Sequence, residues 1–187
     1  MERIVIFGSP GSGKSMLAEQ IGERLGIPVF HLDRYLWKPG WVMVSREEEA
    51  PIVEHLIKSH EWIIDGDSGG TAMHVRLRAA DTIVLLDLPQ VICLWRALRR
   101  WIAYRGKSRP DMPSGCPERL DWPYLWAIWT YPSARLPRIW ARIQEYAVGR
   151  KVFRLQTSSE VKQFLNVFDR SAAASQRQPT GPATPAE

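Results

Sequence analysis

The chain has 187 residues, of which 45% are hydrophobic and 24% charged, and this composition predicts one compact globular domain. No apolar run approaches the roughly 20 residues of a membrane-spanning helix, and the N-terminus lacks signal-peptide features, so we expect a cytoplasmic protein with no membrane partner. A net charge of +5 and a pI of about 9.5 suit anionic partners such as nucleotides, phosphorylated metabolites or nucleic acid, without choosing among them.

Five short apolar runs along the chain predict β-strands, and segments with helical spacing of apolar residues separate them. Continuous apolar strands suit a parallel sheet covered on both faces, so this alternation predicts an α/β fold with right-handed crossovers. The strands are predicted at Arg3 to Phe7, Val29 to Leu32, Trp62 to Ile64, Thr82 to Leu88 and Lys151 to Leu155; the helices are predicted at Lys14 to Leu25, Ser45 to His60, Val91 to Tyr104 and Ser159 to Phe168.

Glycine, proline and charged residues mark the irregular segments. Pro39-Gly40 predicts a turn or loop within residues 35–41. Residues 105–123 are rich in Gly, Pro and charge, so we predict a mobile, lid-like segment inside one domain that spans residues 1–170. Ala, Ser, Gln, Pro and Thr dominate the end of the chain, and this composition predicts a disordered tail over residues 171–187.

Large apolar residues recur at helical spacing in the C-terminal half. Val91, Trp95, Leu98 and Ile102 share one face of a predicted helix. Trp122, Trp126 and Trp129 follow at the same spacing, which favours core packing under the lid-like segment over stacking on bases or on a ring-shaped substrate.

Residues 8–15 read G-S-P-G-S-G-K-S and satisfy the P-loop pattern G-x-x-x-x-G-K-[ST]. The glycines let backbone N–H groups turn toward phosphate oxygens, and the following helix presents its positive N-terminal end to them. Lys14 can reach the β- and γ-phosphates, and Ser15 can ligate Mg²⁺. A strand before the loop and a helix after it make a chance match improbable, so we predict a Mg-ATP site. Its residues are Gly8, Ser9, Pro10, Gly11, Ser12, Gly13, Lys14, Ser15 and Met16.

Several further stretches occur in a familiar order. They are I-P-V-F-H-L-D (27–33), W-K-P-G-W (37–41), W-I-I-D-G (62–66), A-D-T-I-V-L-L-D-L-P (80–89), Y-R-G-K-S-R-P-D-M (104–112) and G-C-P-E (115–118). With the P-loop, they resemble the bacterial DNA topology modulation proteins (FlaR-like), which are adenylate-kinase-like P-loop proteins. The resemblance covers about residues 1–168. It implies a P-loop NTPase three-layer sandwich with strand order 2-3-1-4-5. The fold implies a small-molecule or nucleotide kinase, whereas the family label implies a role in DNA supercoiling.

The wider nucleoside-monophosphate kinase superfamily has a strand ending D-G-F-P-R, and here only the Asp-Gly of residues 65–66 remains. That resemblance implies that Asp65 holds Mg²⁺ through water and that Asp33 accepts a hydrogen bond from the acceptor. Turn and cap roles are the alternatives for these two carboxylates. The missing arginine would have gripped an acceptor phosphate, and Arg76 or Arg78 are the candidates to replace it.

Arginines follow the fourth predicted strand, which ends L-D-L-P. Resemblance to adenylate kinases implies that Arg96 stacks on adenine and that Arg100 contacts the ATP phosphates. Residues 90–110 contain six basic and no acidic residues. A solvated basic face is one interpretation. Because the basic residues stand next to the Gly/Pro-rich segment, we favour a lid that closes over the transferring phosphates. The lid cations would be Arg105, Lys107 and Arg109.

Three functional hypotheses follow. The favoured one is a kinase that transfers the γ-phosphoryl group of ATP, with Mg²⁺, to an unknown small acceptor. The net charge allows a DNA-associated regulatory protein with a nucleotide switch, but the sequence contains no base-reading motif. A bare NTPase is the third. In the kinase hypothesis the catalytic residues are Lys14, Asp33, Arg100, Arg105 and Arg109, and the metal ligands are Ser15 and Asp65.

Overall fold

The computed structural model describes residues 1–68 and 70–175 of the chain. The strands are β1 (Arg3–Gly8), β2 (Val29–His31), β3 (Trp37–Lys38), β4 (Val42–Met43), β5 (Trp62–Asp65), β6 (Thr82–Leu86) and β7 (Lys151–Leu155). The helices are α1 (Lys14–Leu25), α2 (Leu32–Leu36), α3 (Arg46–Leu56), α4 (Gly70–Ala79), α5 (Gln90–Ala103), α6 (Trp122–Ala134), α7 (Leu136–Glu145) and α8 (Ser158–Ser175). No helix among the described residues is long and apolar enough to cross a membrane.

The main sheet is five-stranded and parallel, in the order β2-β5-β1-β6-β7. Numbered among the five sheet strands alone, this is the predicted order 2-3-1-4-5, so the fold prediction is confirmed. Alternate residues of β1 point to opposite faces. Val5 and Phe7 join a core formed with α3, α4 and α7. Ile4 and Ile6 join a second core formed with α1 and α8. Helices on both faces make this a three-layer sandwich.

The chain departs from the predicted elements where short segments leave the sheet. Strand β2 ends at His31, and the next five residues form α2, so Asp33 lies on a helical turn and does not close a strand. The segment predicted as a loop around Pro39-Gly40 is an antiparallel hairpin of β3 and β4, which we call the 37–43 hairpin. Helix α4 is not predicted from the sequence, because the apolar residues of 70–79 do not recur at clear helical spacing.

Helix boundaries also differ from the predictions near the C-terminus. Ser45 caps α3 with Glu48 in a capping box, as predicted, but the helix ends at Leu56. Helix α8 continues to Ser175 and so includes the first five residues of the predicted tail. The rest of that tail, residues 176–187, lies outside the described residues.

The tryptophan stripe is exposed, which corrects its prediction as core. Trp122, Trp126 and Trp129 are 73%, 54% and 53% exposed, because α6 buries Ile128 and Tyr131 on its other side. Helix α5 likewise buries Cys93 and Ala97 and exposes much of its predicted apolar face. The spacing of apolar residues identified the apolar faces of α5 and α6 correctly. It did not show that the core would cover the opposite side of each helix.

The exposed apolar faces of α5 and α6 together form an apolar groove of about 680 Å³, lined by Val91, Leu94, Trp95, Leu98, Leu120, Trp122, Leu125, Trp126 and Trp129.

Two glycines with left-handed backbone allow a direct prediction about the packing of the P-loop. Gly11 has φ +78°, and a Cβ there would lie 2.3 Å from the carbonyl oxygen of Cys93 on α5. Gly26, which ends α1, has φ +69° and nothing within 4 Å of such a Cβ. Gly26→Ala should therefore cost about 1 kcal/mol of backbone strain. Gly11→Ala should cost about 2 kcal/mol more, because backbone must shift as well.

The measurement is the free energy of unfolding in urea for both variants and the wild type. Gly26→Ala is the matched control for left-handed strain alone. Equal losses in the two variants would show that the P-loop does not depend on close packing against α5.

Candidate active site

The P-loop joins β1 to α1 and holds its shape through glycines. Gly8, Gly11 and Gly13 all have positive φ, and Gly13 precedes the first turn of α1 in a left-handed conformation without a side-chain cap. Because glycine has no side chain, the first backbone N–H groups of α1 donate no hydrogen bond to a side chain at this position. A helix N-terminus of this kind favours a bound anion.

Lys14 and Ser15 lie at the start of α1 with their polar atoms directed along this loop. The Lys14 ammonium donates hydrogen bonds to the carbonyl oxygens of Gly8, at 2.8 Å, and Ser9, at 3.1 Å. The Ser15 hydroxyl donates to Asp65 Oδ2 at 2.7 Å. The loop thus brings an ammonium group and a hydroxyl–carboxylate pair to one place.

Asp65 is fixed by its position at the end of β5. His31 pairs with it in the β2–β5 register, and His31 Nδ1 lies 2.7 Å from Asp65 Oδ1. Burial disfavours a charged ring, but the Asp65 hydrogen bond and nearby carboxylates together raise the pKa of His31. Both Asp65 oxygens are therefore oriented by neighbours, one by Ser15 and one by His31.

Asp33 lines the same cleft from α2, and solvent reaches its carboxylate through the opening. The cleft walls nevertheless remove much of its water, and this desolvation raises the pKa of Asp33. Lys14 opposes the shift, whereas the charge of Asp65 adds to it. The structure thus brings together Lys14, Ser15 and Asp33 as the sequence predicted, with Asp65 hydrogen-bonded beside them.

The cleft has a volume of about 680 Å³ and is enclosed by three parts of the chain. The P-loop forms the floor, the 37–43 hairpin with the start of α3 forms one wall, and the loop between α5 and α6 forms the roof. We call this roof, residues 104–121, the closing loop; it contains most of the predicted lid-like segment.

The closing loop rests on the 37–43 hairpin. Gly40 N–H donates to the carbonyl oxygen of Gly115 at 2.9 Å, and Trp41 Nε1 donates to that of Pro117 at 3.1 Å. The Arg119 guanidinium lies 4.5 Å from the centroid of the Trp41 ring. These contacts join the two sides of the opening above the P-loop.

Glu118 organises the closing loop from inside. Its side chain is 3% exposed, and Oε1 accepts a hydrogen bond from Arg100 Nε at 2.9 Å. Oε2 forms a close ion pair with Arg109 Nε at 2.6 Å, without hydrogen-bond alignment. Arg109 also donates to Asp111, and Arg100 donates to the Tyr124 hydroxyl. One buried carboxylate therefore holds both cleft arginines that the sequence predicted.

The other predicted cations lie elsewhere. Arg105 is exposed, stacks over Trp101 at 5.2 Å and is not part of the cleft wall, because the loop turns its side chain outward. Arg96 donates to the carbonyl oxygen of Ser12 at 2.8 Å, on the outer side of the P-loop. Met16, on the first turn of α1, is 55% exposed.

Neither candidate for the missing acceptor arginine reaches the cleft. Arg76 is fully buried, where it donates to the carbonyl oxygens of Ala72, Gly66 and Ser68. Burial lowers the pKa of Arg76 to about 10, although nearby carboxylates oppose the shift. It supports the loop after β5, which is a structural role. Arg78 is exposed on the outside of α4.

Several cleft residues were assigned no role from the sequence, because no local pattern shows that their side chains line the same cleft as the P-loop. They are Arg46, Glu49, Asp67, Asp111, Glu118, Arg119, Tyr124 and Arg135. Asp67 follows the recognised Asp-Gly directly, so it was within reach of the sequence. The position of Arg135 depends on the junction between α6 and α7, which no local pattern gives. Among the described residues no cluster of three or more His, Cys, Asp or Glu side chains suits a metal ion.

Comparisons with solved structures agree with this architecture. The chain is similar to a shikimate kinase from Acinetobacter baumannii in complex with shikimate, with 16% identity, a TM-score of 0.59 and 96% of each chain covered. A shikimate kinase from Bacteroides thetaiotaomicron has 16% identity and a TM-score of 0.53, over 92% of this chain and 98% of the other. A gluconokinase from Sinorhizobium meliloti 1021 has 18% identity and a TM-score of 0.50, over 95% and 97%.

No protein-family model matches the sequence, and no curated protein matches it significantly. The resemblance to the DNA topology modulation proteins therefore has no support from these comparisons. At such low identity the solved structures show the fold alone. The chain has the α/β fold of P-loop kinases, with a five-stranded parallel sheet.

The Glu118 pairs predict how the closing loop is held. Glu118→Gln should weaken the charge-assisted hydrogen bond from Arg100, worth about 1.5 kcal/mol or more, and remove the charge that attracts Arg109. Backbone amides of residues 105–118 should then exchange hydrogen on the order of 10-fold faster than in the wild type. The measurement is hydrogen exchange by mass spectrometry.

Glu54→Gln is the matched control, because Glu54 is exposed on α3 away from the loop. Its exchange in the closing loop should equal that of the wild type. If Glu118→Gln exchanged no faster than Glu54→Gln, the loop would be held by its hairpin contacts alone.

Proposed function

We propose that this protein is an ATP-dependent phosphotransferase that moves the γ-phosphoryl group of Mg-ATP to a hydroxyl group of a small acceptor. The observation that carries the proposal is the shared cleft. Lys14, the hydroxyl of Ser15 and the carboxylate of Asp33 line one enclosed space, and Asp65 is hydrogen-bonded to Ser15 beside it. The neighbours include a shikimate kinase in complex with shikimate and a gluconokinase, and these names support a small acceptor.

The residues at the P-loop fit a triphosphate with Mg²⁺. Hard oxygen ligands suit this ion, and Ser15 with Asp65 supplies a hydroxyl and a carboxylate held 2.7 Å apart. When bound, Mg²⁺ supplies charge neutralisation at the β- and γ-phosphate oxygens. Lys14, which now rests on two loop carbonyls, can turn its ammonium toward the same oxygens.

Asp33 is the residue that we propose to serve the acceptor. In the transfer, the acceptor oxygen bonds to the γ-phosphorus while the bond to the β–γ bridging oxygen breaks. The bridging oxygen leaves with ADP, and the acceptor proton passes to Asp33. A carboxylate whose pKa is raised by desolvation is a better base for this proton than an ordinary aspartate.

Arg100 and Arg109 are proposed to face the transferring group. Both line the cleft, and both are oriented by Glu118. Fixed donors of this kind stabilise charge without reorganisation during the reaction. The closing loop above them also limits the access of water to the phosphoryl group.

Two alternatives explain less of the structure. A bare NTPase would leave the aromatic and charged wall of the cleft opposite the P-loop without a role. A DNA-associated protein of the topology modulation type would leave Arg100 and Arg109 without a role, since both line the cleft and are paired with carboxylates. The kinase proposal is therefore the better supported.

One test of the proposed function concerns Lys14. Lys14→Ala should weaken ATP binding on the order of 100-fold, because charge-assisted contacts to phosphate are lost. The fold should survive, since Lys14 gives up only two hydrogen bonds to loop carbonyls. The measurement is the Kd of Mg-ATP by calorimetry, with Lys162→Ala on α8 as the control. Unchanged affinity in Lys14→Ala would contradict the P-loop assignment.

A further test separates the roles of the two carboxylates, Asp65 and Asp33. Asp65→Asn should raise the Mg²⁺ concentration needed for half-maximal ATP binding, because the hydroxyl–carboxylate pair is weakened. Asp33→Asn should spare Mg-ATP binding but lower kcat by roughly 10²-fold or more, because the proton acceptor is lost. The measurements are the Mg²⁺ dependence of ATP affinity and the rate of ADP formation with acceptor.

The two variants control for each other, since each removes one carboxylate from the same cleft. The reverse pattern, with ATP affinity lost in Asp33→Asn and kept in Asp65→Asn, would exchange their roles. No effect in either variant would contradict the kinase proposal.

A further inference from the structure

Asp67 is a cleft residue to which the proposed phosphoryl transfer assigns no role. It follows β5 in the loop that Arg76 supports, and it stands where the superfamily pattern has a phenylalanine. Its side chain is only 11% exposed and lines the same cleft as Asp33 and Lys14. A carboxylate in such a place is costly and calls for a partner.

The partners of Asp67 in the structure are incomplete. Oδ2 is shielded from solvent and accepts no hydrogen bond from the described residues, although Arg135 Nη1 lies 3.5 Å away. The Tyr131 hydroxyl is buried close beside Asp67, but it lacks the alignment of a hydrogen bond. Because Oδ2 is shielded, the accessible part of Asp67 is the part that faces the cleft. That part is available to a hydrogen-bond donor on a ligand.

Asp67 has two basic neighbours: Lys14 lines the same cleft, and Arg135 Nη1 lies 3.5 Å from Asp67 Oδ2. An acidic side chain therefore lies beside the acceptor space. It would repel a phosphate group placed against it, in contrast to the arginine that the superfamily pattern has in this loop.

Positive charge lies farther out, on three exposed arginines that line the cleft: Arg46, Arg119 and Arg135. The Arg135 side chain is 60% exposed, and its pair with Asp67 is long. The deeper Arg100 and Arg109 are instead held by Glu118. The cleft thus offers hydrogen-bond acceptors inside and exposed guanidinium groups toward its opening.

We propose that Asp67 and Arg135 form an acceptor subsite for a compound other than a nucleotide that has at least two hydroxyl groups and one anionic group. One hydroxyl is bound by Asp33 for transfer, a second donates to Asp67, and the anionic group meets Arg135. This subsite rests on the proposed function, since it assumes a phosphoryl acceptor in the cleft. A carboxylate and a phosphate ester share the required anionic chemistry, whereas a nucleoside monophosphate gripped in the β5 loop does not fit.

The test measures binding and turnover with defined probes. Gluconate supplies hydroxyls with a carboxylate, glucose 6-phosphate supplies hydroxyls with a phosphate, sorbitol supplies hydroxyls alone, and AMP represents nucleotide acceptors. Each probe is titrated with Mg-ATP present, and KM and kcat are followed by ADP formation. The variants are Asp67→Asn and Arg135→Ala. The controls are Asp169→Asn and Arg138→Ala, which change exposed residues outside the cleft.

The expected result is turnover of one or both anionic polyols in preference to sorbitol and AMP. Asp67→Asn should raise the KM of that probe about 10-fold or more, as expected for a lost hydrogen bond to a charged group. Arg135→Ala should raise its KM similarly but leave the KM of sorbitol unchanged. Neither variant should weaken Mg-ATP binding, and the control variants should match the wild type. The two anionic probes tell whether the anion is a carboxylate or a phosphate.

Preference for AMP, or an acceptor KM that does not change in Asp67→Asn and Arg135→Ala, would overturn the subsite while leaving the kinase proposal intact. Lys14-dependent Mg-ATP binding without turnover or binding of any hydroxylated probe would also overturn it. Failure of the kinase proposal has a different signature, which is the absence of Lys14-dependent Mg-ATP binding in the wild type.

Discussion

The parallel pairing of β1 with β5 is the constraint on which the rest of the site depends. Because the two strands run in the same direction, the P-loop after β1 and Asp65 at the end of β5 meet at one edge of the sheet. The Ser15–Asp65 hydrogen bond spans this junction, and His31 extends it to β2. An antiparallel neighbour would carry its last residues to the opposite edge, and no cleft with these groups could form.

Charge compensation shapes the cleft above that edge. Removing a guanidinium or a carboxylate from water is costly unless an opposite charge lies close. Glu118 meets this need for Arg100 and Arg109, and so keeps two donors aimed into the cleft without a ligand. Asp67 is compensated less fully, by a long pair with Arg135. We infer that the well-paired groups serve the phosphates and that the incompletely paired groups serve the acceptor.

Local patterns in the sequence predicted the sheet strands and the P-loop, because buried parallel strands and a glycine-rich turn leave strong local signals, whereas the strand order was implied by the family resemblance. The cleft wall could be predicted only in part. Arg109 and Arg105 are four residues apart, yet only Arg109 faces the cleft, since the closing loop folds back through the Ser108–Pro117 bridge. The exposure of Trp122 shows the same limit: periodicity defines an apolar face, but tertiary packing decides whether another element covers it.

The central claim is that the cleft transfers a phosphoryl group to an acceptor and does not merely bind or hydrolyse ATP. The most direct test is phosphorus NMR of the products after incubation with Mg-ATP and each candidate acceptor. The account predicts ADP together with a new phosphate monoester resonance, in equal amounts, with little inorganic phosphate. ADP with an equal amount of inorganic phosphate and no new phosphate monoester, with every acceptor, would contradict it and indicate an NTPase.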